Sequence, residues 1–280
     1  MTSSLGALSM ISKLVRSSIA LLVLAVSPWA QALVFAVNEG ISYRVPIEEI
    51  RGRYAAIAAD LTKILKQPVT IEPIGDYPSL RKGLAAKSYD LAMVHPAHLS
   101  IQAIKDSGYK LVVVTKGFQK YTASFLVKAD SPLKSLSDLK GLKLGAPDED
   151  SITAWMVRAT LRDANVDPKG MAITYTRYQD AVPFFVENSL TNSGATASNA
   201  LVKAWQAKGG KVLAQSKPVP IKHIIAGPSL TADQIDKVRE YLVTLDTSDE
   251  GKKKLEPIKY TGFERYDEAE LLKIGAWLGL

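Results

Sequence analysis

The chain has 280 residues, with 35 lysines and arginines against 28 acids, three histidines and no cysteine. Its formal charge of +7 is spread out, in short runs such as "KGFQK" and "GKKK" (Gly251–Lys254), with no basic stripe interleaved with aromatics, which excludes a nucleic-acid surface. Without cysteine there is neither a disulfide framework nor the anchoring residue of a lipoprotein, so stability must come from a hydrophobic core.

The chain opens with a targeting pattern. Lys13 and Arg16 precede the apolar run Ile19–Val26, and Ala30-Gln31-Ala32 supplies the small-x-small site of a secretory leader, which predicts cleavage after Ala32. The apolar run is shorter than the roughly 20 residues of a membrane span. A mature protein starting near Leu33 and folding in the periplasm is expected. Loss of Lys13 and Arg16 lowers the formal charge of +7 by two.

Strand and helix patterns then alternate. "LVFAVN" (Leu33–Asn38) reads as a buried strand, Arg53–Gln67 carries apolar residues at helical spacing, and "VTIEPI" (Val69–Ile74) returns to strand. "SLRKGLAAK" is a short helix, "YDLAMV" a strand ending at His95, "AHLSIQAIKD" a helix and "YKLVVVT" a strand. After Tyr121 the rhythm restarts with the strand Thr122–Asp130, a short capped helix in "SPLKSLSDLKG", the strand Leu142–Pro147 and the helix of "DEDSITAWMVRATLRDANV". The strand Ala172–Arg177, the helix "DAVPFFVEN", the strands "KVLAQS" and "PIKHIIAG", and three polar-faced helices complete the chain. No solenoid period appears. Such alternation predicts two α/β units joined near Tyr121–Asp130 and Pro218–Gly227, each with a helix-covered, mainly parallel sheet.

In parallel sheets ligands bind beyond the carboxyl ends of strands, where helix N-termini offer unpaired N–H groups and partial positive charge. The loops that qualify are Asn38–Tyr43, Gly75–Tyr77, His95–His98, Pro147–Thr153 and Arg177–Asp180. Two of the three histidines, His95 and His98, share "HPAH". Four roles are open to them: a metal pair with Asp148 and Asp150, a catalytic base, a structural cap, or donors to a ligand. No Ser-, Cys- or Lys-centred motif stands beside them to support catalysis, and His-x-x-His alone supplies only half a zinc site. Trp155 and Phe184–Phe185 fall at core spacing, His223 reads as structural, and Arg177 is either solvated or an offset to the acidic "DED".

The segments "YDLAMVHPAH", "KYTASFLVKADSPLKSLSDLKGLKLGAPDEDS" and "GPSLTADQIDKVREYLVTLDTSDEGKKKLEPIKYTGF" resemble the PhnD-like periplasmic substrate-binding proteins of phosphonate, phosphite and phosphate ABC transporters. The resemblance implies a type II periplasmic-binding fold with a two-strand hinge, in which lobe 1 spans 33–125 and 227–280 and lobe 2 spans 126–226. It also implies a monomeric, non-enzymatic receptor without a cofactor, which takes a small oxyanion between the lobes and delivers it to an inner-membrane permease. Presentation of a ligand to a signalling kinase is the alternative use of such lobes, and a cation receptor built on His95, His98, Asp148 and Asp150 is another. The implied ligand-binding set is Tyr77, His95, His98, Tyr121, Asp150, Ser151, Thr153, Gln179 and Asn199.

Two departures from that family pattern stand out. Asp148, Glu149 and Asp150 replace part of a hydroxyl-rich run at a helix start, where carboxylates compete with an anion for the same donors. Around "TNSGATASN", Thr196, Ser198 and Asn199 stand where aminophosphonate binders would supply an acid. If the histidines contact an anion, affinity is expected to rise modestly towards pH 6, because imidazolium is the better donor.

Overall fold

The computed structural model describes residues 31–40 and 46–280. The leader expected at residues 1–32 therefore lies outside the described residues except for its last two, as does the end of the Asn38–Tyr43 loop. Among the described residues no helix is long and apolar enough to cross a membrane.

Strand β1 (Leu33–Val37) is the uninterrupted apolar run that a strand covered on both faces requires. Helix α1 (Ile47–Leu65) buries Ile50, Tyr54, Ile57, Leu61 and Leu65, one stripe at helical spacing. Next come β2 (Val69–Pro73), α2 (Tyr77–Ala85), β3 (Leu91–Val94), α3 (Ala97–Ser107) and β4 (Lys110–Thr115). Asp76 caps α2 by accepting from the Ser79 amide at 2.7 Å. Gly108 ends α3 with a positive φ of 77°, a conformation glycine adopts without steric cost.

The chain then crosses to a second sheet, made of β5 (Ser124–Val127), β6 (Lys143–Pro147), β7 (Ala172–Thr176), β8 (Ser193–Thr196) and β9 (Lys211–Gln215). Three helices accompany it: α4 (Ile152–Asp163), α5 (Ala181–Glu187) and α6 (Asn199–Ala207). The chain returns as β10 (His223–Ala226) and finishes with α7 (Ala232–Thr244), α8 (Asp249–Leu255), β11 (Phe263–Glu264) and α9 (Glu268–Leu278). Strand order is β11-β4-β10-β3-β1-β2 in the first sheet and β7-β6-β8-β5-β9 in the second.

The pairing directions locate the cleft. β1 runs parallel to β2 and β3, whereas β10 runs antiparallel to β3 and β4. In the second sheet β6 is parallel to β7 and β8, and β5 is antiparallel to β8 and β9. Of the strands that run against their neighbours, β11 lies at the edge beside β4, and β5 and β10 follow a crossing. Each enters its new sheet at the end where the parallel strands stop: Ser124 lies opposite Thr196 and Gln215, and His223 opposite Val94 and Val114. The carboxyl ends of both sheets therefore face the crossings. These are antiparallel neighbours, with the Val219 amide donating to the Tyr121 carbonyl at 2.9 Å and the Ser216 amide to the Ala123 carbonyl at 2.9 Å.

The expected fold, two α/β lobes with a two-strand hinge, is thus the observed one. Its details differ at three places. β10, counted with lobe 2 by a boundary at 226, is hydrogen-bonded in the first sheet, and β5 begins at Ser124, before the boundary at 125. The sequence pattern predicts neither β8 nor α6, although β8 lies inside the second sheet. Phe184 is 55% exposed rather than packed, because its helix turns it outward beside Phe185.

Candidate functional site

Helix α4 joins the lobes. Its apolar face, with Met156, Val157 and Leu161, belongs to the same buried cluster as Leu80, Leu99 and Ile101 of the first lobe and Leu271 and Leu278 of α9. Ser151 caps its N-terminus by accepting from the Ala154 amide at 3.2 Å, and Asp148 accepts from the Asp150 amide at 2.9 Å. This Asp148 turn directs the Asp150 side chain towards the first lobe.

There it meets Arg81 of α2, whose Nη2 lies 2.8 Å from both carboxylate oxygens. His98, on the first turn of α3, is 1% exposed, and its Nε2 is 3.8 Å from Asp150 Oδ1. That distance is too long for a hydrogen bond, and neither ring nitrogen of His98 has a partner among the described residues. The ring stacks on Trp155 (centroids 5.1 Å apart, planes 25° apart), and the Arg158 guanidinium covers Trp155 at 4.8 Å. Arg158 also donates to the Glu149 carbonyl at 3.1 Å and to the Tyr175 hydroxyl at 3.2 Å.

Burial pushes the His98 pKa below its ordinary value although Asp150 opposes the shift. The neighbouring His98 ring and the Arg81 guanidinium together hold Asp150 well below the usual carboxylate range, against its partial burial. Of these two, the guanidinium carries the effect, because it makes the 2.8 Å contacts and a neutral imidazole at 3.8 Å makes none. The offset to the acidic helix start thus comes from Arg81, not from Arg177, which is exposed and lies over the Tyr178 ring at 5.5 Å.

A second cluster surrounds the hinge. The Tyr121 hydroxyl is 3.1 Å from Thr153 Oγ1 and accepts from Gln179 Nε2 at 3.0 Å. Gln179 Oε1 accepts from the Thr196 hydroxyl at 2.9 Å and the Ala197 amide at 2.6 Å. Through this one amide the loop after β7 and the end of β8 are tied to the hinge, and the Tyr121 hydroxyl adds the start of α4.

The remaining expected residues sit apart. Tyr77 begins α2 and is buried in the core cluster. Asn199 is exposed at the start of α6, behind the Ser198 cap. His95 Nδ1 is 3.0 Å from the Ile221 carbonyl, so Nδ1 carries the proton and Nε2 of the neutral ring is an acceptor. Gly40, at a φ of 94°, lies so close that a Cβ there would stand 2.3 Å from His95 Cδ2. Burial and the Lys222 charge lower the His95 pKa to about 4, so His95 is not the protonated anion donor near pH 6 that the sequence suggests. His223 is structural as expected: Nε2 donates to the Pro220 carbonyl at 3.0 Å and Nδ1 lies 2.5 Å from Ser100 Oγ.

The alternative cation set does not assemble, since only His98 and Asp150 approach each other. Among the described residues no three His, Asp or Glu side chains are grouped to hold a metal ion. Arg81 is the principal residue that sequence reasoning misses. Its partner is 69 residues away, and the helix "SLRKGLAAK" offers no local sign of it.

Two α/β lobes, paired crossings, and helix N-termini meeting between the sheets define a two-lobed solute-binding protein of the type II periplasmic class. The chain belongs to the ABC-transporter phosphonate periplasmic substrate-binding protein family, whose pattern it matches over residues 21–271. No curated protein matches it. Among solved structures it is similar to XAC2383 from Xanthomonas citri bound to chloride ion (17% identity, 89% of this chain and 97% of that chain, TM-score 0.70). It is also similar to PhnD1 from Prochlorococcus marinus in complex with methylphosphonate (16% identity, 89% and 97%, TM-score 0.63). The periplasmic aliphatic sulphonate binding protein SsuA from Escherichia coli shares the fold at 15% identity (87% and 89%, TM-score 0.53).

Proposed function

We propose that this chain is the periplasmic receptor of an ABC importer and binds a small oxyanion, such as phosphate, phosphite or a phosphonate, between its lobes. The observation that carries the reading is Arg81 of α2 and His98 at the start of α3, both turned towards Asp150 just before α4. A guanidinium and a buried ring with no hydrogen-bond partner stand together at the carboxyl ends of both sheets, where such folds place ligands. Arginine suits oxyanions because its planar donors match their geometry. The neighbour in complex with methylphosphonate and the one named as an aliphatic sulphonate binding protein agree with an anion. In this role the chain is exported by its leader, acts as a monomer without cofactor or catalysis, and hands its ligand to an inner-membrane permease.

Native mass spectrometry of the protein as purified from the periplasm tests this. The expected spectrum begins near Leu33 and shows either a retained small anion or a stoichiometric adduct on adding phosphate, phosphite or methylphosphonate. No adduct and no thermal shift with any of the three would overturn the reading.

A further inference from the structure

The cation best placed to hold an incoming anion already holds one that belongs to the chain. Arg81 Nη2 makes both contacts to Asp150, and among the described residues Nε and Nη1 of Arg81 make no hydrogen bond. Beside them, buried His98 points Nε2 at the same carboxylate from 3.8 Å and bonds to nothing. Both carboxylate oxygens sit against one nitrogen of Arg81, and neither comes within hydrogen-bond distance of His98. As placed, Asp150 leaves the buried His98 ring unmet, which is costly, while the remaining N–H groups of the part-exposed Arg81 stay open to a ligand.

We propose that Asp150 is an internal stand-in for the ligand's anion, and that a tetrahedral head group with three oxygens enters by displacing it from Arg81. This rests on the oxyanion reading above and adds how the site is guarded. Two oxygens of a PO3 or SO3 group take the Arg81 fork, and the third accepts from His98 as its Nε2–H tautomer. A carboxylate ligand has no third oxygen and gains nothing over Asp150, so the exchange selects tetrahedral heads. The Asp150 side chain is 37% exposed, so the released carboxylate can turn to solvent. Its charge stays close enough to repel the newcomer and lower its affinity.

Titration calorimetry at fixed ionic strength and neutral pH, with methylphosphonate, methanesulfonate and acetate, tests the proposal on the full mature chain. The variants are Asp150→Asn, Asp150→Ser and Arg81→Lys, each first shown to be folded by its melting curve. The proposal expects methylphosphonate to bind about tenfold tighter to both Asp150 variants and about tenfold or more weakly to Arg81→Lys. Acetate should bind only once Asp150 is replaced. If methylphosphonate binds the unaltered chain and removal of Asp150 leaves affinity unchanged or weaker, the stand-in role is wrong and the oxyanion reading survives. If neither the unaltered chain nor any variant binds a tetrahedral anion, both fall.

Discussion

At the scale of single residues, burial decides what the histidines can do. His95 and His223 are lowered to about 4 and about 3 by burial, and His98 is lowered for the same reason. The unfolded chain takes up these protons near 6.5, while the folded chain resists until far lower pH. The neutral rings therefore contribute stability above pH 6.5 that is lost as the pH falls towards 4. Thermal denaturation should show the loss, up to ~2 kcal/mol each for His95 and His223 at pH 5, and His223→Gln should flatten the profile. Burial lowers all three rings, so the affinity for methanesulfonate, whose own charge is constant between pH 8 and 6, should rise less on acidification than ordinary histidines would make it; calorimetry at the two values checks it. The hinge amide has an equally local role. Gln179→Ala leaves the Ala197 amide without its acceptor and removes one bond each from the Tyr121 and Thr196 hydroxyls, and should cost about 2 kcal/mol in urea denaturation, against about 1 kcal/mol for Tyr121→Phe. In the sequence, "HPAH" and "DEDS" are legible as loops at a site, because strand and helix patterns bracket them. Their partners are not. Arg81 finds Asp150 only through the packing of two lobes, and no periodicity reports that.

At the scale of elements, most helices and strands with apolar periodicity are legible, although α1 begins at Ile47, ahead of the expected Arg53, and α6 goes unread despite Leu201, Val202 and Trp205. β8 is "SGAT", buried throughout yet without a large apolar side chain. Its smallness is structural: a Cβ on Gly194 would stand 2.6 Å from Val182 and 2.9 Å from Val186, so α5 sits directly on the strand. Gly194→Ala should push α5 outward and cost about 2 kcal/mol or more, measured by denaturant unfolding. β10 reads as a strand from its sequence, but its lobe does not, because an antiparallel insertion leaves no mark on the strand's own residues. α9 belongs to both lobes in a similar way. Glu268 accepts from the Leu111 amide at 2.7 Å, while Arg162 donates to the Trp277 carbonyl at 2.9 Å and the Leu278 carbonyl at 2.8 Å. Arg162→Ala should leave the start of α9 protected and speed amide exchange at residues 275–280, a difference hydrogen-exchange mass spectrometry resolves.

At the scale of the whole molecule, two sheets aim their carboxyl ends at one set of crossings, and a helix from each side begins where they meet. The alternating pattern makes the fold class legible, and the order of motifs makes the family legible; the geometry adds that α2, α3 and the start of α4 present Arg81, His98 and Asp150 to one another. The central claim is that a small oxyanion is clamped there by both lobes at once. Hydrogen-exchange mass spectrometry of the mature chain, with and without saturating methylphosphonate, tests this most directly. A clamped oxyanion slows exchange in two separate segments, the amides of residues 97–101 in the first lobe and of residues 151–156 in the second. Protection confined to one lobe, or appearing only in segments away from the starts of α3 and α4, would contradict it.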